Sequence, residues 1–458
     1  MSEILVTSYG ADPTGTTDSL AAIEDARDAA IAASKTLVFP QGTYKISATL
    51  ELGYPRLHVR GEERAVIQAD FTTGPIVSVS NTGIAYQFSL RNILLVGKYS
   101  GNTPVGTEVG LRTQNVVHGV YENIRVRNVT RKAFHVTGDV LSVYSNLVSD
   151  QQNDGLSNEM APEYDLYIDG TTLASSTTAC QFSNCILERG TLAGLYIAKG
   201  TNNIFKGGGA EGLPGRGVIL SADAYRNQFD QFYCEYNAGG DFDISGTANV
   251  FVNCEAYDLT RTTTSFHVKS GAARNIIEKC GSTTDSGAYT IVQIDAGAED
   301  TVVRDCALYK LTDSGTRTWL ENWSDQFNGV AQGGSRTFTP TFAGSSTAGA
   351  FVYDVRSGTA TRIGRRVFID IALRISSVTN GATGSETRIT GLPWSASGGS
   401  AAVVDEGGMT YPGASTVLGG YIDGNRIVLR GNKNAGPVDP ATLNAWSYVR
   451  LTGNYEVA

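Results

Sequence analysis

Six copies of one phrase decide how this chain folds: QFSNCILE (181–188), IFKGGGAE (204–211), QFDQFYCE (228–235), VFVNCEAY (250–257), IIEKCGST (276–283) and VVRDCALY (302–309). Their second residues form a column, Phe182, Phe205, Phe229, Phe251, Ile277 and Val303, at steps of 23, 24, 22, 26 and 26 residues. Tyr144, Tyr121 and Leu90 extend it backwards. A second apolar phrase falls between successive copies and supplies Leu111, Phe134, Leu166, Leu195, Val218, Phe242, Phe266 and Val292. Two ladders with one period mean one repeated unit, and a repeat of this length signals stacked supersecondary units. Each unit holds only short strands, β-branched and aromatic with period-two alternation. A polar turn recurs in register at Asn202 and Asn203, Asn227, Asn249, Asn275 and Asp300, where Asn tolerates left-handed turn geometry. Coils that turn at the same place stack into a right-handed parallel β-helix, its coils about 4.8 Å apart.

The totals agree with an all-β protein of two to three domains. The chain has 458 residues, 53 of them Gly and 12 Pro, a turn-rich composition. A formal charge of -9 argues against a nucleic-acid partner, which requires a basic face. No apolar run approaches the ~20 residues of a membrane span. The start, MSEILVTSYG, lacks the basic and apolar regions of a signal peptide. Four of the six cysteines, Cys185, Cys254, Cys280 and Cys306, follow the apolar column by three residues, and Cys180 and Cys234 lie nearby. This spacing matches no zinc signature and reads as a column of small buried side chains.

The opening is the most specific segment: strand Ile4 to Thr7, the polar loop GADPTGTTD, Asp18 or Ser19 as N-cap, and a helix with Leu20, Ile23, Arg27, Ala30 and Ile31 on one stripe. Strands Leu37 to Phe39 and Thr43 to Ile46 flank the PQG turn. The helix closes the open end of the stack, which otherwise exposes a core cross-section. YGADPTGTTDS, the Ala-rich helix and VFPQGTYKI closely resemble the start of the pectate-lyase-like β-helix of phage tailspikes and polysaccharide depolymerases. The resemblance implies a homotrimeric, virion-borne fibre acting extracellularly, which binds and usually cleaves a bacterial capsular or exopolysaccharide. It also implies other phage tail proteins as partners. The few residues before Tyr9 leave no room for a particle-binding domain, so attachment is expected through an adaptor or through a segment outside this chain.

The expected organisation is an N-terminal cap (1–47), a parallel β-helix (48–325), a linker (326–336) and a C-terminal β-sandwich (337–458) serving trimerisation, glycan binding or both. In that last part many short strands alternate with Gly, Ser and Asn turns. The order TFTPTFAG, TRIGRRVFIDI, ITGLPW and GGYIDGNRIVL resembles C-terminal domains of phage tail fibres. Within the helix, the interval from Tyr144 to Phe182 is 38 residues and holds an acidic excursion at 149–165. Loops of this length on a rigid scaffold are usually functional.

Six residues past the main column stand Arg127, Asp150, Glu188, Glu211, Glu235 and Tyr257. Three glutamates in consecutive coils at one angular position cannot all ionise cheaply, so at least one has a raised pKa. A protonated carboxyl beside an ionised one is the arrangement that cleaves a glycosidic bond, which makes Glu188, Glu211 and Glu235 the catalytic candidates. The competing reading is that each caps the turn into the next strand. Asp150, Asp154, Arg216, Tyr257, Asp258 and Arg261 are the substrate-binding candidates, the aromatic ring for stacking and the guanidinium forks for acidic groups. Asp154, Glu159, Glu163 and Asp165 offer a second carboxylate, each against a plainer role as a solvated loop charge. His135 and His267 lie inside the second ladder, in a packed or groove-facing position. No calcium loop, phosphate loop, serine elbow or HExxH motif occurs, so no metal or cofactor is expected. Hydrolysis by paired carboxylates is the first expectation. Lyase chemistry, for which Arg216, Arg261, Tyr257 and Lys199 are available, and a non-enzymatic receptor-binding fibre are the alternatives.

Overall fold

The computed structural model of the chain describes residues 3–63, 65–149, 160–170, 176–258, 263–283, 292–308, 311–321, 323–325, 330–332, 335–363, 366–381, 386–393, 396–407, 417–431, 443 and 447–457. These form two compact units, Met1–Val302 with Cys306–Thr316, and Val303–Asp305 with Arg317–Ala458.

The first unit is a parallel β-helix. Phe182, Phe205, Phe229, Phe251 and Ile277 face one another in unbroken parallel register. The second ladder, from Leu111 through Phe134, Leu166, Leu195, Val218, Phe242 and Phe266 to Val292, does the same in its own sheet. Every residue of both ladders is at most 2% exposed. Tyr121, Tyr144, Phe182, Phe205, Phe229 and Phe251 stack ring on ring, with centroids 4.6, 4.6, 4.8, 4.7 and 5.0 Å apart. Those distances are the strand spacing itself, so one aromatic per coil at one angle fills the core without a gap. The copy IFKGGGAE breaks the cysteine column for a steric reason: Gly208 has φ +72, and a Cβ there lies 2.2 Å from the Cys185 carbonyl oxygen.

The recurrent asparagines differ from expectation in their role. The left-handed residues of the turn are Asn202, Arg226, Ala248, Arg274 and Asp300. Asn203, Asn227, Asn249 and Asn275, one residue later, are fully buried. Each of the first three donates its side-chain amide to the next asparagine's Oδ1, at 3.0, 3.1 and 3.3 Å. Each also donates to a backbone carbonyl in the preceding coil, at Thr177, Gly200 and Ala224. Asn is selected here as a buried two-sided connector, since an amide alone offers a donor and an acceptor at the coil spacing.

At the N-terminal end the helix Leu20–Ala33 packs on strands Glu3–Leu5 and Thr36–Phe39 and buries Ile23, Ala26, Arg27 and Ala30. Ser19 is the N-cap position, but its Oγ accepts from the Asp12 amide and not from a helix N–H. Asp18 takes the Leu20 N–H. Asp12 organises the polar loop by accepting from the backbone of Thr14, Thr16 and Thr17.

Among the described residues, the second unit holds a nine-stranded antiparallel sheet. Its strands run in the order Ser335–Phe338, Ala350–Ile363, Arg366–Asn380, Tyr448–Val457, Ala396–Gly407, Val417–Gly424, Arg426–Gly431, Thr387–Thr390 and Thr341–Gly344. Ile369, Ile371 and Leu373 share one core with Ile389, Ile427, Leu429 and Phe342, so both halves of the sheet turn one face to a common interior.

Candidate active site

Strands Gly209–Glu211, Tyr233–Glu235 and Glu255–Tyr257 lie side by side in register. Their central residues Ala210, Cys234 and Ala256 are buried. Period-two alternation therefore sends both flanking rows outward: Glu211, Glu235 and Tyr257 in one, Gly209, Tyr233 and Glu255 in the other. Glu188 heads the first row, directly after Leu187, which pairs with Ala210. Burial and the Glu235 charge raise the Glu211 pKa, the shift expected of one member of a close carboxylate pair. The Tyr233 hydroxyl donates to Glu235 Oε2 at 2.7 Å and fixes the orientation of that carboxylate beside Glu211. Burial and that same bond push the Tyr233 phenol up, with Glu255 and Glu211 adding to the effect. Tyr257 meets the half-exposed Tyr236 edge to face at 5.7 Å. Sequence reading passed over Tyr233, Tyr236 and Glu255. The signal for Tyr233 and Glu255 was the alternation, which places them two residues before Glu235 and Tyr257.

The turns after two of the glutamates take their side-chain caps from elsewhere. Asp165 Oδ2 accepts from the backbone of Arg189 and Gly190 at 3.1 and 2.8 Å, and Asn237 Oδ1 accepts from Leu213 at 3.3 Å. Asp165 thus departs from its reading as a loop charge. It sits in the strand Tyr164–Asp169, fully buried, where Ser149 donates to it and burial pushes its pKa up to about 7. Glu163 is half-exposed and pairs with Arg131 at 3.9 Å. Asp258 is buried beside the Glu255–Tyr257 strand. Asp150, Asp154, Glu159 and Arg261 lie outside the described residues.

Arg216 belongs to a different constellation, on the outward face of the second sheet. Its Nε lies 3.1 Å from Asp243 Oδ2, and Lys269 Nζ lies 2.7 Å from the same oxygen. On the neighbouring coil His267, in register with Asp243, is held through Nε2 by Asp295 Oδ2 at 2.8 Å. Gln293 donates to the other Asp295 oxygen at 2.7 Å. Among the described residues no partner meets His267 Nδ1. A carboxylate-oriented imidazole with one free ring nitrogen is a competent base. Asp243, Lys269, Gln293 and Asp295 carry no sequence motif, because each enters the row once, at an outward position of a ladder that otherwise varies freely.

A stack of parallel coils with a helix over its N-terminal end and polar rows on its outer faces is a parallel β-helix. Residues 4–83 match the profile of the rhamnogalacturonase A/epimerase, pectate lyase-like family. Among solved structures, the tailspike protein of Acinetobacter phage vB_ApiP_P1 is similar over 99% of this chain and 87% of its own, at 13% identity and a TM-score of 0.54. The N-terminal fragment of bacteriophage Phi29 gene product 12 covers 70% of this chain and 61% of its own, at 15% identity and a TM-score of 0.54. PfbA, a surface adhesin of Streptococcus pneumoniae, covers 70% and 91%, at 12% identity and a TM-score of 0.53. No curated protein sequence matches the chain. At these identities the likeness is one of fold, the fold expected from the opening segment.

Proposed function

We propose that this chain is a tailspike-type depolymerase that binds a bacterial capsular or exopolysaccharide and hydrolyses its glycosidic bonds with Glu211 as acid and Glu235 as its ionised partner. The observation that carries this reading is the register pair Glu211 and Glu235, with the Glu211 pKa raised and Glu235 held by Tyr233. One carboxyl kept protonated beside another kept ionised is what glycoside hydrolysis requires. Glu188 extends the row by one coil, and Tyr257 with the adjoining Asp258 continues it at the other end; Asp150, Asp154 and Arg261 stay substrate-binding candidates from the sequence. The similar tailspike and the rhamnogalacturonase and epimerase profile support a polysaccharide-directed role. In this reading the protein is a homotrimer on the virion tail, meets its substrate at the host surface, and joins other tail proteins. The segment 337–458 serves trimerisation, glycan binding or both.

The His267 and Asp295 pair favours a second reading, β-elimination, with His267 as base. Glu211→Gln and Glu235→Gln, assayed on a cleaved polymer for reducing ends and ultraviolet absorbance, separate the two. Hydrolysis at the glutamates predicts a 10²- to 10⁴-fold loss in each, the usual effect of removing a general acid or base. Full turnover in both variants, with unsaturated ends and dependence on His267, overturns the assignment in favour of elimination.

A further inference from the structure

The outward row of the second sheet carries one side chain per coil: Ser78, Arg112, His135, Tyr167, Tyr196, Ile219, Asp243, His267 and Gln293. Its N-terminal half is built differently from the acidic cluster above. Tyr164, Tyr167 and Tyr196 form one aromatic group with centroids 5.2 to 5.3 Å apart, and Tyr164 stacks on Tyr196 at an interplanar angle of 26°. His135 meets Tyr167 edge to face at 5.4 Å. Lys132 Nζ lies 3.6 Å from the Tyr167 ring centroid. Arg112 gives one N–H to Gln114, while its Nε is buried with no hydrogen-bond partner.

The neighbouring Arg131 has Glu108 at 4.0 Å and Glu163 at 3.9 Å. Among the described residues, neither Arg112 nor Lys132 has a carboxylate within ion-pair distance. Burial, with Lys132, Arg112 and Arg131 acting in the same direction, pushes the His135 pKa down to about 3, so the imidazole is neutral and the local field is cationic. Asp169 and Glu163 act on Lys132 only from beyond ion-pair distance, so a chain of net charge -9 that leaves two partly buried cations without a contacting carboxylate among the described residues, beside three tyrosines, presents a place for an external anion. The rings supply what a sugar face needs, a flat apolar surface with hydroxyls at the rim.

We propose that this face binds an anionic saccharide unit, its ring lying against Tyr164 and Tyr196 and its acid group taken by Lys132 and Arg112. Tyr196 lies two coils from Asp243 in the same row, so a glycan extended along the stack passes from the aromatic group to the Arg216, Asp243 and Lys269 constellation. The proposal rests on the polysaccharide reading above and is independent of hydrolysis.

The test is calorimetric titration of the full chain, carrying Glu211→Gln to prevent turnover, with tetragalacturonate, a chondroitin sulfate tetrasaccharide and cellotetraose. At least one anionic probe is expected to bind about tenfold or more tightly than cellotetraose, and to weaken as salt rises. Lys132→Met and Arg112→Met each remove about tenfold of that preference, Lys132→Arg restores it, and Tyr196→Ala weakens all probes. Which probe wins distinguishes a carboxylate from a sulfate. Equal binding of neutral and anionic probes, or a preference that survives both cation substitutions with circular dichroism unchanged, overturns the proposal. The two readings fail separately: retained cleavage by Glu211→Gln removes only the hydrolytic site, and loss of anion preference removes only this one.

Discussion

Two buried aspartates tie the stability of the β-helix to pH. Asp139 is fully buried, accepts from Tyr144 Oη and from the Val116 amide, and burial pushes its pKa up to about 7. Asp165 reaches about 7 for the same reason. An unfolded aspartate titrates near 3.9. Between about pH 4 and 7 these two carboxyls hold protons in the folded chain that they release in the unfolded one, outweighing the opposite effect of the single His135, so stability falls as pH rises through that window. A shift of about three units corresponds to roughly 4 kcal/mol per carboxyl. Urea unfolding at pH 5 and pH 8 should show the acid side more stable, and Asp139→Asn should flatten the difference. A wild-type curve that rises through this range contradicts the assignment.

At the level of the coil, the buried connector and the aromatic stack make different predictions. Asn227→Ala removes an acceptor shared by the Asn203 backbone and side chain, and strips Gly200 and Asn249 of a donor. Leaving such groups unpaired in the core costs about 2–4 kcal/mol. Asn227→Asp keeps the shape but replaces two donors with acceptors, and should be no better tolerated by denaturant unfolding; a neutral result for both discards the ladder as a source of stability. Phe229→Ala opens a gap between Phe205 and Phe251 and should cost about 3–5 kcal/mol.

Both ladders and the capping helix were legible in the sequence, because a fixed period with apolar β-formers leaves one way to bury them. The function of the asparagines was not, since a turn-former and a ladder amide have the same sequence appearance one residue apart. Asp165 was misplaced because the acidic excursion was run to residue 165, into the start of the rung Tyr164–Asp169 that Leu166 already marks. The glutamate row was legible from spacing alone. Its partner Tyr233 was readable only through the alternation, two residues before Glu235, and the His267 row was not legible, because its outward residues change type from coil to coil.

At the scale of the molecule, the outer face of the β-helix is proposed to cleave a bacterial polysaccharide by hydrolysis. The accompanying trimer predicts a light-scattering mass of three chains in solution; a stable monomer at micromolar concentration contradicts it. The most direct test of the claim is incubation with purified capsular and exopolysaccharides, following polymer size, reducing ends and ultraviolet absorbance together. The account predicts that one polymer shortens with new reducing ends and no new absorbance, and that Glu211→Gln and Glu235→Gln abolish the shortening. Shortening accompanied by absorbance contradicts hydrolysis at the glutamates, and binding of a host polymer with no change in its size contradicts any cleavage by this face.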